Sequence, residues 1–567
     1  MDGGARLPGA EAKKLSAVEG LKAGSHRLRG RLAEELAEGG TQVSEDAYNL
    51  LKFHGSYEQY DRETATARKQ AGQEKDYSFM VRVRMPGGRL TAAQYLALDA
   101  LSDRYGTTGL RLTTRQGVQF HGIPKGDLKP AIADINATLL TTQAACGDVV
   151  RNVMTTPAPI RDTLHGQLDA AARMLSSALL PASRAYHQIF LDEESGSTDE
   201  VEPLYGATYL PRKFKIGLAA PTDNTPDVLT NDLGFFAICD ESGAISHYNV
   251  AVGGGLGMTH NNARTFPRLA DIVGSVPAAD LIKVTEAVIS LQRDNGDRGD
   301  RRRARLKYVV EDRGVDWTRE TIGSYFGRPL DPALPMTPIA VPDLLGWHEQ
   351  GNGLGWIGVP IPSGRIDGAV RVALREIVER FASDPIVTPQ QDILLSDVAP
   401  ADRAPIEAIL RAHGVALADD LTPISRWTLA CPALPTCGLA LTEAERVREP
   451  LIAKFESVLA SHGLSQERIS LRITGCPNGC VRPYAGEIGL VGRVPGAYAI
   501  YLGGDFAGTR LSFQLLDRVK VVDFDAIFGP ILGAFATDRV PGEEFGDYCA
   551  RIGRAGLLSL AGRAEAA

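Results

Sequence analysis

The sequence predicts a mixed α+β protein with a pseudo-twofold duplicated architecture, each half holding one small and one larger α/β unit. Three observations carry this. FMVRVRMPGGRL (79–90) reads as a strand closed by a Pro-Gly-Gly turn, followed by a helical stretch and a second strand, LRLTTRQGVQFHGI. WIGVPIPSGRI (356–366) opens the same way, with GAVRVALREIVERFAS as its helix and PIVTPQQDILLSDV as its second strand. The turn glycine precedes the strand threonine by 25 residues in one copy (Gly88, Thr113) and by 24 in the other (Gly364, Thr388). A second pair corresponds as well: RKFKIGLAAPTDN leading to DLGFFAICDESGAISHYNVAVGGGLG, and LRITGCPNGC leading to EIGLVGRVPGAYAIYLGGDFAG. Related halves create a cleft between them, the usual place for a large cofactor.

The units follow in order. Residues 1–75 form an N-terminal segment with a helical HRLRGRLAEELAEG and a polar EQYDRETATARKQAGQEKD, expected to wrap the body and meet a partner. Residues 76–140 are the first small unit and 141–345 the first larger one. The Pro-rich GRPLDPALPMTPIAVPDLLG then links to a second small unit, 346–420, and a second larger unit, 421–567.

Composition narrows the function. A net charge of −8 over 567 residues argues against a general nucleic-acid binder. There is no apolar run long enough for a membrane helix, and the first twenty residues hold no stretch of signal-peptide type. A cytoplasmic protein without membrane contact is expected, and in a reducing compartment cysteines act as ligands or fillers rather than staples.

Four of the seven cysteines form two close pairs: Cys431 and Cys437 in LACPALPTCGLAL, Cys476 and Cys480 in TGCPNGC. Cys146, Cys239 and Cys549 stand alone and read as small buried residues. Five residues with two prolines between the first pair make a poor zinc loop, and no histidine lies at ligand spacing. Four soft thiolates on two loops suit an iron–sulfur cluster. A helix after Pro450 lets the chain run out and return, and Gly475 and Gly479 let backbone approach a bulky core with N–H groups facing sulfur.

CPALPTC with TGCPNGC resembles the signature of the sirohaem sulfite and nitrite reductases. FHGSYEQYDRE, RLTTRQGVQFHGI and YLPRKFKIG extend the resemblance over nearly the whole chain. Within that family the pattern is most similar to the assimilatory, NADPH-type haemoprotein subunits. The resemblance implies ferredoxin-like small units, and a [4Fe–4S] cluster on Cys431, Cys437, Cys476 and Cys480, with Cys480 also bridging to sirohaem iron. It implies six-electron reduction of sulfite to sulfide in sulfate assimilation and cysteine biosynthesis. No G-x-G-x-x-G opens a helix after a strand, so electrons must come from outside. The resemblance points to an NADPH-dependent flavoprotein, with ferredoxin as the alternative donor and nitrite as the alternative substrate. A distant alternative is a non-catalytic iron–sulfur sensor or scaffold.

The resemblance also assigns residues. Arg82, Arg151, Lys213 and Lys215 would surround the bound oxyanion. Lys213 and Lys215, two apart on a strand, share a face, and their repulsion would loosen a proton from one of them. Arg111, Thr113, Arg115, Gln119 and His121 occupy alternating positions read as one strand, and the family uses this strand for sirohaem. Arg212, Gly254, Gly255, Lys307, Gln391, Thr474 and Asn478 are further cofactor-binding positions carried over. DRGDRRRARLKY (297–308) reads as partly solvated and partly cofactor-facing. One departure stands out: Gly147 lies where the family's pattern carries an asparagine, so a hydrogen bond in the cavity would be missing or made by water.

Overall fold

The computed structural model describes residues 14–107, 109–193 and 202–563. The two small units repeat each other element by element. In the first, strand Tyr77–Arg82 leads to the turn Pro86–Gly88 and to helix Ala92–Arg104, which Thr91 and Gln94 close with a capping box. In the second, strand Gly355–Val359, turn Pro362–Gly364 and helix Gly368–Phe381 follow suit. The halves trade edges. Arg365–Ile366 pairs with Leu110–Leu112 of the first sheet, while Arg89 bridges Ile386 of the second. A Cβ on Gly88 would lie 2.2 Å from the Val387 carbonyl, and one on Gly364 would lie 2.4 Å from that of Leu112. Both glycines also have positive φ, so close approach and conformation each require them.

The segment expected as one strand, 110–123, is a hairpin: Leu110–Leu112 pairs antiparallel with Val118–Ile123. The Thr113 hydroxyl accepts from the N–H groups of Arg115 (3.3 Å) and Gly117 (3.1 Å), and Gln116 takes a left-handed φ of 53°. The second copy turns in the same way, with Thr388 accepting from Gln390 and Asp392 and with Gln391 at 71°. The first copy's threonine-capped turn carries no Asn-Gly or Pro signal, which is why alternation hid it, whereas the second copy holds Pro389 directly after its threonine.

The N-terminal segment is built into the body. Helices Ala17–Gly24 and Leu32–Ala37 are separated by left-handed residues His26 to Leu28, and Ser56–Tyr60 adds a strand to Tyr77–Arg82. Lys22 is fully buried; its ammonium donates to the Leu210 carbonyl (2.8 Å) and pairs with Glu19 (2.5 Å).

The larger units share one topology. In the first, Ile216–Ala219 runs parallel to Leu233–Cys239, which pairs antiparallel with Ile245–Val252, and that with Asp271–Pro277; helix Leu281–Asn295 follows. In the second, Leu471–Thr474, Ile488–Val494, Ala497–Leu502 and Phe513–Lys520 repeat the order, followed by helix Phe524–Asp538. Thr428–Ala430 adds a further parallel strand there; its counterpart is a pair of parallel bridges, Val150 to Phe214 and Met154 to Gly217. The Pro-rich link crosses the first larger sheet, bridging Ser275 through Asp331. One apolar core joins the small units to the first larger unit, and a second fills the cysteine-bearing unit. Among the described residues no helix is long and apolar enough to cross a membrane.

Candidate active site

The two cysteine loops leave the carboxyl ends of neighbouring parallel strands. Ala430 pairs with Ile473, so Cys431 and the Gly475–Cys476 turn emerge side by side. The Gly475 N–H points at Cys431 Sγ (3.4 Å), and the N–H groups of Leu441 and Thr442 hold the Gly475 carbonyl. A Cβ on Gly475 would lie 2.6 Å from the Thr442 carbonyl. Burial raises the pKa of Cys431, Cys437 and Cys476, and the charge of Cys480 adds to the rise at each, so all four thiols interact across the two loops. Backbone N–H groups of Leu439 and Ala440 offset this at Cys437, and Asn478 does so at Cys476. Among the described residues no three His, Cys, Asp or Glu side chains converge as they would on a single metal ion.

The PNG turn is clamped from three sides. The Pro477 carbonyl accepts from the Met258 N–H (2.9 Å) and from the Tyr484 hydroxyl (3.0 Å), and the Thr114 hydroxyl donates to the Cys480 carbonyl (2.9 Å). Arg482, two residues on, joins three units: it pairs with Asp227 and donates to the carbonyls of Thr114 (3.3 Å) and Pro389 (3.1 Å). An arginine beside a cysteine loop reads as surface in sequence, and its burial depends wholly on these distant partners.

Facing Cys480 is a concentration of cations. The Cys480 charge acts on both Arg82 and Lys213. Arg82 donates to the Ala145 carbonyl (3.3 Å) and Cys146 Sγ (2.8 Å). With the Gln119 amide turned so that its oxygen faces Arg82, that oxygen accepts from Nη2 (2.6 Å) and Nε (3.0 Å). Arg151 donates to the carbonyls of Gly147 (2.9 Å) and Ala145 (3.3 Å). Arg115 reaches Asn231 Oδ1 (2.8 Å) and the carbonyls of Asn152 (2.6 Å) and Ile216 (3.2 Å), leaving its Nε without a partner. Burial pushes Arg115 down to about 9, Arg151 to about 10 and Lys213 to about 7, and lowers Lys215 further below its ordinary value. Neighbouring arginines come next as causes for both lysines, so the mutual repulsion foreseen from their spacing is a smaller contribution.

Arg82, Arg115 and Arg151 hydrogen-bond only to neutral groups, and none of the five cations forms an ion pair among the described residues; Asp232 acts on Arg115 and Lys215, and Asp148 on Arg151, only from farther away. The nearby acid, Asp232, receives two hydrogen bonds from Arg305 (both 2.8 Å) and one from the Lys215 N–H (2.9 Å). Deep cations without counter-ions are costly unless an anion joins them. The five side chains keep part of their surface accessible, so they line a hollow rather than fill a core. A polycarboxylate macrocycle and a small oxyanion suit that donor set. Four thiols with N–H groups aimed at sulfur and glycines at the closest approaches likewise suit an iron–sulfur cluster. Gly147, with φ 88°, fits against Phe53; a Cβ there would lie 2.9 Å from its ring, and the Gly147 carbonyl itself serves Arg151.

Other carried-over positions stand elsewhere or are occupied. Arg111 pairs with Glu445 (2.9 Å) and donates to the Ser363 carbonyl, at the junction of the small units. Thr113 serves its turn. Lys307 directs its ammonium to the carbonyls of Gly255, Gly257 and Phe266, so it shapes the glycine loop. The missing side chains of Gly254 and Gly255 make room for the Leu229 carbonyl and Arg305. Thr474 makes a long bond to the Leu490 carbonyl (3.4 Å), and Arg212 stands 3.9 Å from Asp148. His121 Nδ1–H donates to Gln59 Oε1 (2.9 Å), and Gln391 donates to the Ser363 carbonyl; His121 Nε2 and Gln391 Oε1 are buried without partners. Of the basic run, Arg301 pairs with Asp148 (2.8 Å), Arg303 with Asp312 (2.7 Å) and Arg305 with Asp232, so it is largely an internal ion-pair ladder.

Comparison with known proteins agrees with this geometry. The family model described as "Nitrite/Sulfite reductase ferredoxin-like half domain" matches residues 71–138 and 348–413, the two small units. The one described as "Nitrite and sulphite reductase 4Fe-4S domain" matches residues 170–330, in the copy without the paired cysteines. A sulfite reductase [NADPH] hemoprotein beta-component of Myxococcus xanthus is 45% identical, with 96% of this chain and 97% of the relative covered. A sulfite reductase [ferredoxin] of Synechococcus elongatus is 44% identical, covering 96% and 91%. The structure of the Mycobacterium tuberculosis NirA protein superposes with a TM-score of 0.78 at 26% identity, over 96% of this chain and 97% of that one. The chain belongs to the nitrite and sulfite reductase family.

Proposed function

We propose that this protein reduces sulfite to sulfide, using sirohaem and a [4Fe–4S] cluster. The observation that carries the reading is Cys480, whose charge acts on Arg82 and Lys213, set beside Arg115, Arg151 and Lys215, none of which forms an ion pair among the described residues. Sulfite takes up six electrons and six protons and loses its three oxygens as water. When bound, the paired metal centres supply those electrons one at a time, chemistry that side chains cannot perform. Cys431, Cys437, Cys476 and Cys480 would hold the cluster, and Cys480 is the one that would also serve the sirohaem. Arg115, Gln391 and His121 would meet sirohaem substituents.

The protein's own groups bind the anion and handle protons. Arg82 and Arg151 are held by neutral partners and present charge to the substrate. Lys213 and Lys215 hold protons loosely, so each serves as an acid when an oxygen departs, and a bound anion raises their affinity again. The electron donor is an NADPH-dependent flavoprotein; the similarity to the Synechococcus elongatus relative makes ferredoxin the second reading. Absorption spectra of the purified protein should contain chlorin-type bands beside those of the cluster. Turnover of sulfite should be faster with the flavoprotein than with ferredoxin. A protein loaded with iron and sulfide but lacking the chlorin bands refutes the reading.

A further inference from the structure

Arg62 lies far in sequence from every cysteine, yet it reaches the first cysteine loop. Its Nη1 donates to the carbonyls of Gly438 (2.7 Å), Cys437 (3.2 Å) and Ala440 (3.4 Å), and its backbone N–H donates to that of Pro435 (3.2 Å). All these partners are neutral backbone groups, so the guanidinium charge stands without a carboxylate among them. The adjacent Glu63 pairs with Arg446, which fixes the strap at a second point on the same unit. Cys437 is also the more accessible member of its pair, and its neighbour Leu439 is 66% exposed. Gly438 and Leu439 at the crest of this loop are exposed, while Ala433 and Ala440 on either side of the crest pack into the core of their own unit.

We propose that Arg62 is a positioning residue that fixes the Cys437 loop and, through its uncompensated charge, raises the reduction potential of the cluster; this rests on Cys437 being a cluster ligand. Reduction adds negative charge to the cluster, and a cation bonded to the carbonyl of a ligating cysteine (3.2 Å) stabilises that state more than the oxidised one. One nitrogen, Nη1, reaches all three carbonyls, and the planar guanidinium that carries it is pre-organised for this, where a flexible ammonium would hold the loop less well. The two contributions separate by substitution. Arg62→Gln keeps hydrogen bonding and removes charge; Arg62→Lys keeps charge and removes the fork.

The test is a redox titration of the cluster in the holoenzyme, followed by electron paramagnetic resonance, with iron and sulfide content measured on each sample. Arg62→Gln should shift the reduced-to-oxidised ratio about tenfold toward oxidised at a given potential, ~59 mV for a one-electron couple. Arg62→Lys should stay near the parent in potential but lose iron faster to a chelator. Parental potentials in both variants, or equal shifts in both, overturn the inference. If Arg62→Gln does not retain its cluster, Arg62→Lys decides by the same two readings. A parent protein without iron and sulfide refutes the cluster reading itself, which is a separate failure.

Discussion

The two larger units each bury an acid at the same point of the same sheet and surround it differently. In the first, Asp232 precedes strand Leu233–Cys239 and accepts from the Lys215 N–H and twice from Arg305. In the second, Glu487 precedes Ile488–Val494 and accepts from the N–H groups of Ser470 (2.8 Å) and Gly546 (3.0 Å). The backbone match is direct: the Leu233 N–H bonds the Lys215 carbonyl, and the Ile488 N–H bonds the Ser470 carbonyl. Lys215 and Ser470 are therefore counterparts, as are Asp232 and Glu487. One copy made the node a charged one and gathered cations around it. The other kept uncharged partners, and burial pushes the Glu487 carboxyl up to about 7. The cysteines sit on the second copy's loops; Arg151, Lys213 and Lys215 belong to the first copy, and Arg82 and Arg115 come from the small unit beside it. Duplication let each half specialise toward opposite charge, and the site forms where they face each other.

Removing the thiol side of this division should have the largest effect. Cys480→Ser tests the proposal that this thiol serves both metal centres, because it replaces a soft sulfur with a harder oxygen. Absorption from sirohaem and the resonance of the reduced cluster should both fall, with sulfite turnover near background. The cation half should remain folded, because Thr114 holds this loop through the Cys480 carbonyl rather than its sulfur. Both centres persisting unchanged would show that this sulfur joins nothing.

Attacking the cation side should spare the cofactors. Lys215→Met should retain both sets of absorption bands and lower sulfite turnover about 10²-fold, the usual weight of one positioned acid. Lys213 adds a pH signature. It loses its proton near pH 7 in the free protein, so sulfite affinity should weaken as pH rises past that point. Lys213→Arg stays charged and should flatten that limb, which separates the lysine from any titration of the substrate. Identical pH profiles for parent and variant would remove Lys213 from the anion site.

The repeat was readable because its spacing depends on strand, turn and helix lengths, which local sequence sets; Gly88 and Gly364 mark the same turn in both copies. The cysteine pairs were readable because ligand chemistry restricts residue type. The hairpin at Thr113 was not, since a hydroxyl-capped turn looks like another strand position. Arg305 and Arg482 were missed for another reason. Their importance lies in Asp232 and Asp227, partners more than seventy and two hundred positions away, and nothing local distinguishes them from surface arginines. The contacts of the N-terminal segment were hidden for the same reason. Its polar stretch contains Arg62, whose partners all lie beyond residue 434.

The smallest effect tests the comparison of buried acids itself. Glu487 holds its proton up to about pH 7, against 4.5 when free in water. Between those values the folded protein binds more protons than the unfolded chain, so this group makes stability fall as pH rises, and the fall levels off above the folded value. The full span is on the order of 3 kcal/mol at one side chain. Glu487→Gln should remove that slope: its thermal midpoint, measured from pH 5 to pH 8, should gain on the parent as pH rises. Asp232→Asn should behave in the opposite sense, because it leaves Arg305 and Lys215 without their acid. Its midpoint should lie below the parent at every pH in that range. Parallel curves for the two variants would mean that the matched positions share one electrostatic character after all, and that the division of charge between the copies arises only from their loops.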